Sequence, residues 1–244
     1  MSNAVRPEFV PRPIERISPA YGDQLSHRQA LHVIVDVLGW GGLAIGPSDC
    51  GFALWALPLF PKAVEALDAI LDHGSVPIPI TFDSVPHMAK VVKFEWIHFR
   101  LADAWPGGLT LVMPAPSGAA KKLARSMHGM QTIGIRISRS AIERQISAEA
   151  DSPITSAAIR YPDGSVVCSY EDAEAIVLER MTALGIVGVT VVGIPYENFS
   201  LSVNSTVATA TGSSISLIRV GFYEKKDLVA FGSRLSVQEY GDAT

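Results

Sequence analysis

The sequence predicts a mixed α/β domain built on one central sheet. Two observations carry this. Segments with helical spacing alternate with short apolar runs from residue 27 to residue 194, and a hairpin pattern follows at 205–219. No internal repeat, low-complexity tract or long linker divides the 244 residues, which suffice for one large domain with a sizeable core.

The elements follow in order. Pro7, Pro11, Pro13 and Pro19 make the first 25 residues an extended arm. Ser26 reads as a helix cap, and Leu31, Ile34, Val35 and Leu38 give a helix over 27–38 that Gly39, Gly41 and Gly42 break. Leu43-Ala44-Ile45 is a short strand running into Pro47-Ser48-Asp49. Pro61 opens a helix carried by Val64, Leu67, Ile70 and Leu71 and ended by Gly74. Val76–Phe82 alternates as a strand, and 86–103 is helical in one or two pieces. A Trp105-Pro106-Gly107-Gly108 turn feeds a strand over 109–113. Further on come a helix at 121–127, a strand at 132–137, a helix at 139–148 and a strand at 153–158. A turn at Asp163-Gly164 follows, then a helix over 171–184 stopped by Gly185 and a buried strand over 187–194. The hairpin turns at Thr211-Gly212. The expected division is an arm at 1–25, a body at 26–222 and a tail at 223–244.

Hydrophobic residues make up 48% of the chain and charged ones 18%, the composition of a globular protein. A net charge of −4 disfavours a general nucleic-acid or membrane-surface binder, although a cleft can be locally basic. Cys50 and Cys168 form neither a disulfide framework nor a metal-ligand pair, and the N-terminus has no apolar signal core. No apolar run approaches the ~20 residues that span a bilayer. A cytoplasmic protein is expected.

The catalogue of catalytic motifs is mostly negative. There is no phosphate-binding Gly-rich loop before a helix, no nucleophile elbow, and no histidine pair at zinc spacing. Three weaker signals remain. Ser48 and Asp49, just after a strand, suit either a small polar ligand or a turn cap. Arg136 ends an apolar strand, where its planar fork suits a carboxylate or phosphate, or else a surface salt bridge. Ser205, Thr206 and Arg219 lie at strand ends and read either as phosphate ligands or as β-propensity residues beside an exposed arginine.

Read in order, the segments resemble the YrdC-like family, whose best-known members are threonylcarbamoyl-AMP synthases. "LAIGPSDCGFAL" (43–54) is similar to the family's first strand and loop, and "AVEALDAILDHGSVPIPI" (63–80) to its next helix and strand. "WPGGLTLVMPAP" (105–116) resembles its Trp-Pro-Gly strand, and "IGIRIS" (133–138) its arginine strand. "SPITSAA" (152–158) resembles the segment of its Thr-Ser-Ala-Asn run, and "NSTVATATGSSISLIRVG" (204–221) its Ser-Thr strand and terminal arginine. The resemblance implies a twisted mixed sheet flanked by helices, with a large concave cleft. In the synthases that cleft binds ATP, bicarbonate and threonine, with Mg²⁺ assisting.

The departures fall on the chemistry. The family's Lys-x-Arg positions are Leu71 and His73 here, and 63–82 holds no Lys or Arg. A charge-assisted hydrogen bond from such a cation to phosphate is worth about 1.5–3 kcal/mol. The Thr-Ser-Ala-Asn run becomes Ala157-Ala158-Ile159-Arg160, leaving the hydroxyl of Ser156, and the family's histidine is Ser140. Arg136, Ser205, Thr206 and Arg219 are retained, with Arg160 or His73 as replacement charge. The expected ligand set is therefore Ser48, Asp49, His73, Arg136, Ser156, Arg160, Ser205, Thr206 and Arg219 around a small anion or nucleotide. If the protein is an enzyme, the expected reaction forms a carbamoyl adenylate by nucleotidyl transfer. The alternatives are a non-catalytic nucleotide-, RNA- or protein-binding module and a recruited biosynthetic enzyme, because fold does not fix function.

Overall fold

Helices α1 (Gln24–Gly39), α2 (Pro61–Leu71), α5 (Ala141–Glu149) and α6 (Tyr170–Leu184) fall where the apolar spacing places them. The 86–103 segment forms two short helices, α3 (Val85–Ala89) and α4 (Trp96–Leu101), and α7 (Lys225–Phe231) lies in the tail. The strands are β1 (Glu15–Arg16), β2 (Leu43–Ser48), β3 (Gly51–Ala56), β4 (Ile80–Thr81), β5 (Leu109–Pro114), β6 (Thr132–Arg136), β7 (Ile154–Ala158), β8 (Val191–Gly193), β9 (Thr206–Thr211), β10 (Ser214–Arg219) and β11 (Ser236–Glu239). The computed structural model describes residues 14–17, 24–72, 78–114, 132–195, 203–231 and 236–239. His73 and the helix expected at 121–127 lie outside them.

Among the described residues these strands form one mixed sheet in the order β1-β8-β2-β3-β7-β4-β6-β5-β9-β10-β11. Its two edge strands come from the arm and the tail: β1 adds in parallel to β8, and β11 in parallel to β10. The sequence reading does not name β3, because Gly51–Ala56 is buried at every position and shows no alternation. A strand covered on both faces reads as a continuous apolar run. β3 makes Ser48-Asp49 the end of a tight antiparallel hairpin with β2, in which Ser48 pairs with Gly51. The expected 187–194 strand is shorter, and only Val191–Gly193 pairs.

Strand register defines the two faces. Ala56, Thr155, Ile80, Ile135, Leu111, Ala208 and Leu217 are successive cross-strand partners and share one face. Helices cover that face along its length. Val64 and Leu67 of α2 and Ala173 and Val177 of α6 pack on one part. Met88, Ile97, Leu101 and Leu228 pack on the other. On the opposite face Ile34 and Leu38 of α1 and Ile146 of α5 bury Ala44, Ala53, Trp55 and Ile154. That cover stops near Arg136. Beyond it the row Gly134, Val112, Thr209, Ser216 has no helix packed on it among the described residues, and Val112, Thr209 and Ser216 are half-buried. This floor of small side chains, beside the last covering helix, positions the candidate site.

Candidate functional site

The site starts at the β2–β3 turn. The Ser48 hydroxyl donates to the Gly51 carbonyl at 2.8 Å and accepts the Cys50 N–H at 3.1 Å, so it closes the hairpin. That turn projects Asp49 across to the end of β6, where its carboxylate pairs with the Arg136 guanidinium. The two side chains are only 4% and 7% exposed, so this is a buried ion pair and not a surface one. The second Asp49 oxygen accepts the Arg139 N–H at 3.3 Å, and Arg136 Nη1 lies 4.0 Å from Cys50 Sγ. Burial opposes the Arg136 charge, but Asp49, Cys50 and Glu143 outweigh it and push its pKa above the ordinary value. Burial also pushes the Cys50 thiol up to about 11, against the pull of Arg136.

A second cluster stands at the end of β10. Arg219 donates from Nε and Nη2 to the Ser205 carbonyl at 3.1 and 2.9 Å, and from Nη2 to the Ser205 hydroxyl at 3.1 Å. Thr110, next to Arg136 on the open face, also hydrogen-bonds the Ser205 hydroxyl at 3.1 Å. Arg160 reaches the same place from the loop after β7, donating to Asn204 Oδ1 at 2.5 Å and the Gly164 carbonyl at 2.8 Å. The Arg219 pKa is lowered first by burial, then by the charge of Arg160, with Arg136 acting in the same direction. Arg160 and Arg219 thus meet at Asn204 and Ser205, Thr110 ties that point to the strand position beside Arg136, and Asp49 pairs with Arg136.

Not every expected ligand joins this group. The Ser156 hydroxyl donates to Glu143 Oε1 at 2.5 Å, and Trp55 Nε1 donates to the same oxygen at 3.0 Å. Ser156 is therefore turned toward α5. Thr206 faces the covered side, where its hydroxyl donates to the Tyr223 carbonyl at 2.7 Å and accepts the N–H groups of Gly221 and Tyr223 at 3.1 and 2.7 Å. It fixes the chain leaving β10. Ser48, Asp49, Arg136, Arg160, Ser205 and Arg219 are the expected residues that the fold brings together.

Glu143 and Cys50 are partners that the sequence reading passes over. Ser140-x-x-Glu143 has the spacing of a capping box, in which the glutamate stays at the helix end. Here Ser138 Oγ accepts the Ser140 N–H at 3.0 Å, and Glu143 turns into the protein with no exposed surface. Burial raises the pKa of its carboxyl, against the positive charge of Arg136. The Trp-Pro-Gly-Gly turn packs against Phe222. Trp105 Nε1 donates to the Leu109 carbonyl at 2.8 Å, and a side chain on Gly108 would strike the Phe222 ring. The Arg139 guanidinium stacks over that same ring, 4.4 Å from its centroid.

Comparison with known proteins places this arrangement. A family model named for Sua5, YciO and YrdC, with the description "Telomere recombination", matches residues 36–221. No curated protein sequence matches the chain. Among solved structures, P. abyssi Sua5 complexed with L-threonine superposes with a TM-score of 0.71 at 19% identity, covering 92% of this chain and 62% of that one. E. coli YciO superposes at 0.68 and 19% identity, covering 88% and 98%. HypF in a phosphate- and nucleotide-bound form gives 0.61 at 16% identity over 78% of this chain and 29% of that one. This chain thus spans about 62% of the length of Sua5 and nearly all of YciO. With the model matching most of its length and the sheet, hairpin and arginine strand in place, the chain belongs to the Sua5/YciO/YrdC family.

Proposed function

We propose that the protein binds a nucleotide or a comparable phosphate-bearing small molecule on the open face beside Arg136. One observation carries this reading: Arg160 and Arg219 are held at the adjacent Asn204 and Ser205, next to Arg136, and the Asp49 carboxylate answers only one of the three. Guanidiniums held together against their mutual repulsion favour an anion, and their planar forks suit phosphate oxygens. Sua5 was solved with L-threonine and HypF with phosphate and nucleotide, which supports a small polar ligand for a protein of this fold. The reaction class that fits is formation of a carbamoyl or threonylcarbamoyl adenylate from ATP. Within it Arg160 supplies positive charge to the bound anion.

Mg²⁺ belongs to that reading as a companion of the nucleotide phosphates. Asp49 is engaged by Arg136, and no group of three His, Cys, Asp or Glu among the described residues is placed to hold a metal. The protein's own part is to hold the anion and keep Arg136 oriented.

Titration calorimetry with ATP, AMP and inorganic phosphate tests the binding claim. Removing Arg160 or Arg219 should weaken the preferred ligand by about 10–100-fold, the worth of one charge-assisted hydrogen bond. No heat with any of the three anions would overturn it. Pyrophosphate release from ATP, bicarbonate and threonine tests the catalytic claim, which fails if release stays at background.

A further inference from the structure

We propose that Thr81, Arg136, Glu143 and Ser147 enclose a buried water site between α5 and the sheet, and that this water braces Arg136 through its Nε. The site does not depend on the nucleotide reading. Parallel pairing of β4 and β6 sets Thr81 beside Arg136 on the face that α5 covers. Glu143 and Ser147 lie one turn apart on α5, so they point the same way. That helix packs on β4 and β7, and Glu143 is tied to β7 through Ser156. The four side chains therefore meet at one helix–sheet seam.

At that seam Thr81 Oγ1, Arg136 Nε and Ser147 Oγ are buried with no hydrogen-bond partner among the described residues, and Glu143 Oε2, which the Ser138 side chain also faces, has none within hydrogen-bond geometry. Thr81, Glu143 and Ser147 have no exposed surface, and Arg136 is 6% exposed. Buried polar atoms are almost always satisfied, and four orphans on one seam are the usual surroundings of an internal water, which makes about three hydrogen bonds. The signs of charge select the ligand. Arg136 repels a metal cation, and the Glu143 carboxyl disfavours an anion. Two hydroxyls, which donate and accept, complete a site for a small neutral molecule that does both.

The consequence is mechanical. Asp49 holds one terminal nitrogen of Arg136 from the hairpin side. The water holds Nε from the α5 side, so the guanidinium plane is fixed at both ends before a ligand arrives. Glu143 and Ser147 are then positioning residues that act through Arg136.

A crystal structure of the full chain, at a resolution that shows ordered waters, is the first test. Density within about 3 Å of at least three of the four atoms is expected. A dry seam, or a seam closed by a direct Arg136–Glu143 hydrogen bond, overturns the proposal. The ¹⁵N-edited resonance of Arg136 Nε–H is the second test. Thr81→Val and Ser147→Ala should each shift it and speed its hydrogen exchange severalfold, whereas Cys168→Ser, remote from the seam, should leave it in place. An unchanged resonance in both seam variants overturns the proposal. If either variant fails to fold, the wild-type structure decides.

Discussion

The part of the sheet that runs β8-β2-β3-β7 and the part that runs β6-β5-β9-β10 use different residues for the same backbone. In the first, β2 and β3 are buried at every position and helices pack on both faces. In the second, β9 reads buried, half-buried, buried, half-buried, because among the described residues one face alone carries a helix layer. The covered part holds its polar groups in pairs, as Ser156 and Trp55 do on Glu143. The open part gathers Arg160 and Arg219, whose partners are neutral oxygens of Asn204, Gly164 and Ser205. The first is built to be stable, and the second is where a ligand is proposed to bind. Arg136 stands at the seam, paired on the covered side and facing the open one.

Substitutions at matched positions can break that comparison. The largest effect is expected for Trp55→Ala, which opens a large cavity under α5 and takes a donor from Glu143. It should cost about 3–5 kcal/mol in urea unfolding, whereas Val207→Ala on the open face should cost less than about 1 kcal/mol. Equal costs would mean that the open face is packed after all. Asp49→Ala leaves the Arg136 charge buried and unpaired and should cost about 3–5 kcal/mol by the same measurement. Arg219→Ala should change stability little while weakening anion binding, so a large loss of stability there would blur the division.

Two glycines sharpen the contrast at smaller scale. A methyl at Gly46 would overlap the Trp55 ring, and Gly46→Ala should destabilise by about 1–3 kcal/mol. At Gly134, on the open floor, the nearest atom to an added methyl is Thr110 Cγ2 at 3.4 Å. Gly134→Ala should be within about 1 kcal/mol of wild type and act mainly on ligand affinity. The smallest effect is the titration of Cys50. Its folded-state pKa is raised to about 11, so its contribution is fully present below the ordinary thiol range and is lost as pH rises toward about 11. Urea midpoints should fall over that window in wild type and less in Cys50→Ala. Iodoacetamide near neutral pH should label exposed Cys168 well before Cys50, read by mass spectrometry.

Much of the fold is legible in the chain. Helices α1, α2 and α6 announce themselves by spacing and stop signals, and the Thr211-Gly212 hairpin by its alternation. β3 hides because a doubly covered strand has no period. The arm and the tail hide because their strands, β1 and β11, exist through pairing at the sheet edges. The site is legible in part. Arg136, Ser205 and Arg219 stand out as cations and hydroxyls at strand ends, and Arg160 enters as replacement charge through the family resemblance. The direction of a hydroxyl does not, and so Ser156 turns to Glu143 and Thr206 to the chain leaving β10.

The sequence by itself determined which residues are apolar at which spacing, and from that the alternation of helices with strands. The physical reason is local: periodicity, capping and turn chemistry act over a few residues. Only the tertiary structure decided that Asp49 belongs to Arg136, that Glu143 leaves its helix cap for the core, and that one half of a sheet face stays without a helix among the described residues. Those outcomes depend on contacts between segments tens of residues apart. Burial and charge pairing settle them only when the sheet has closed.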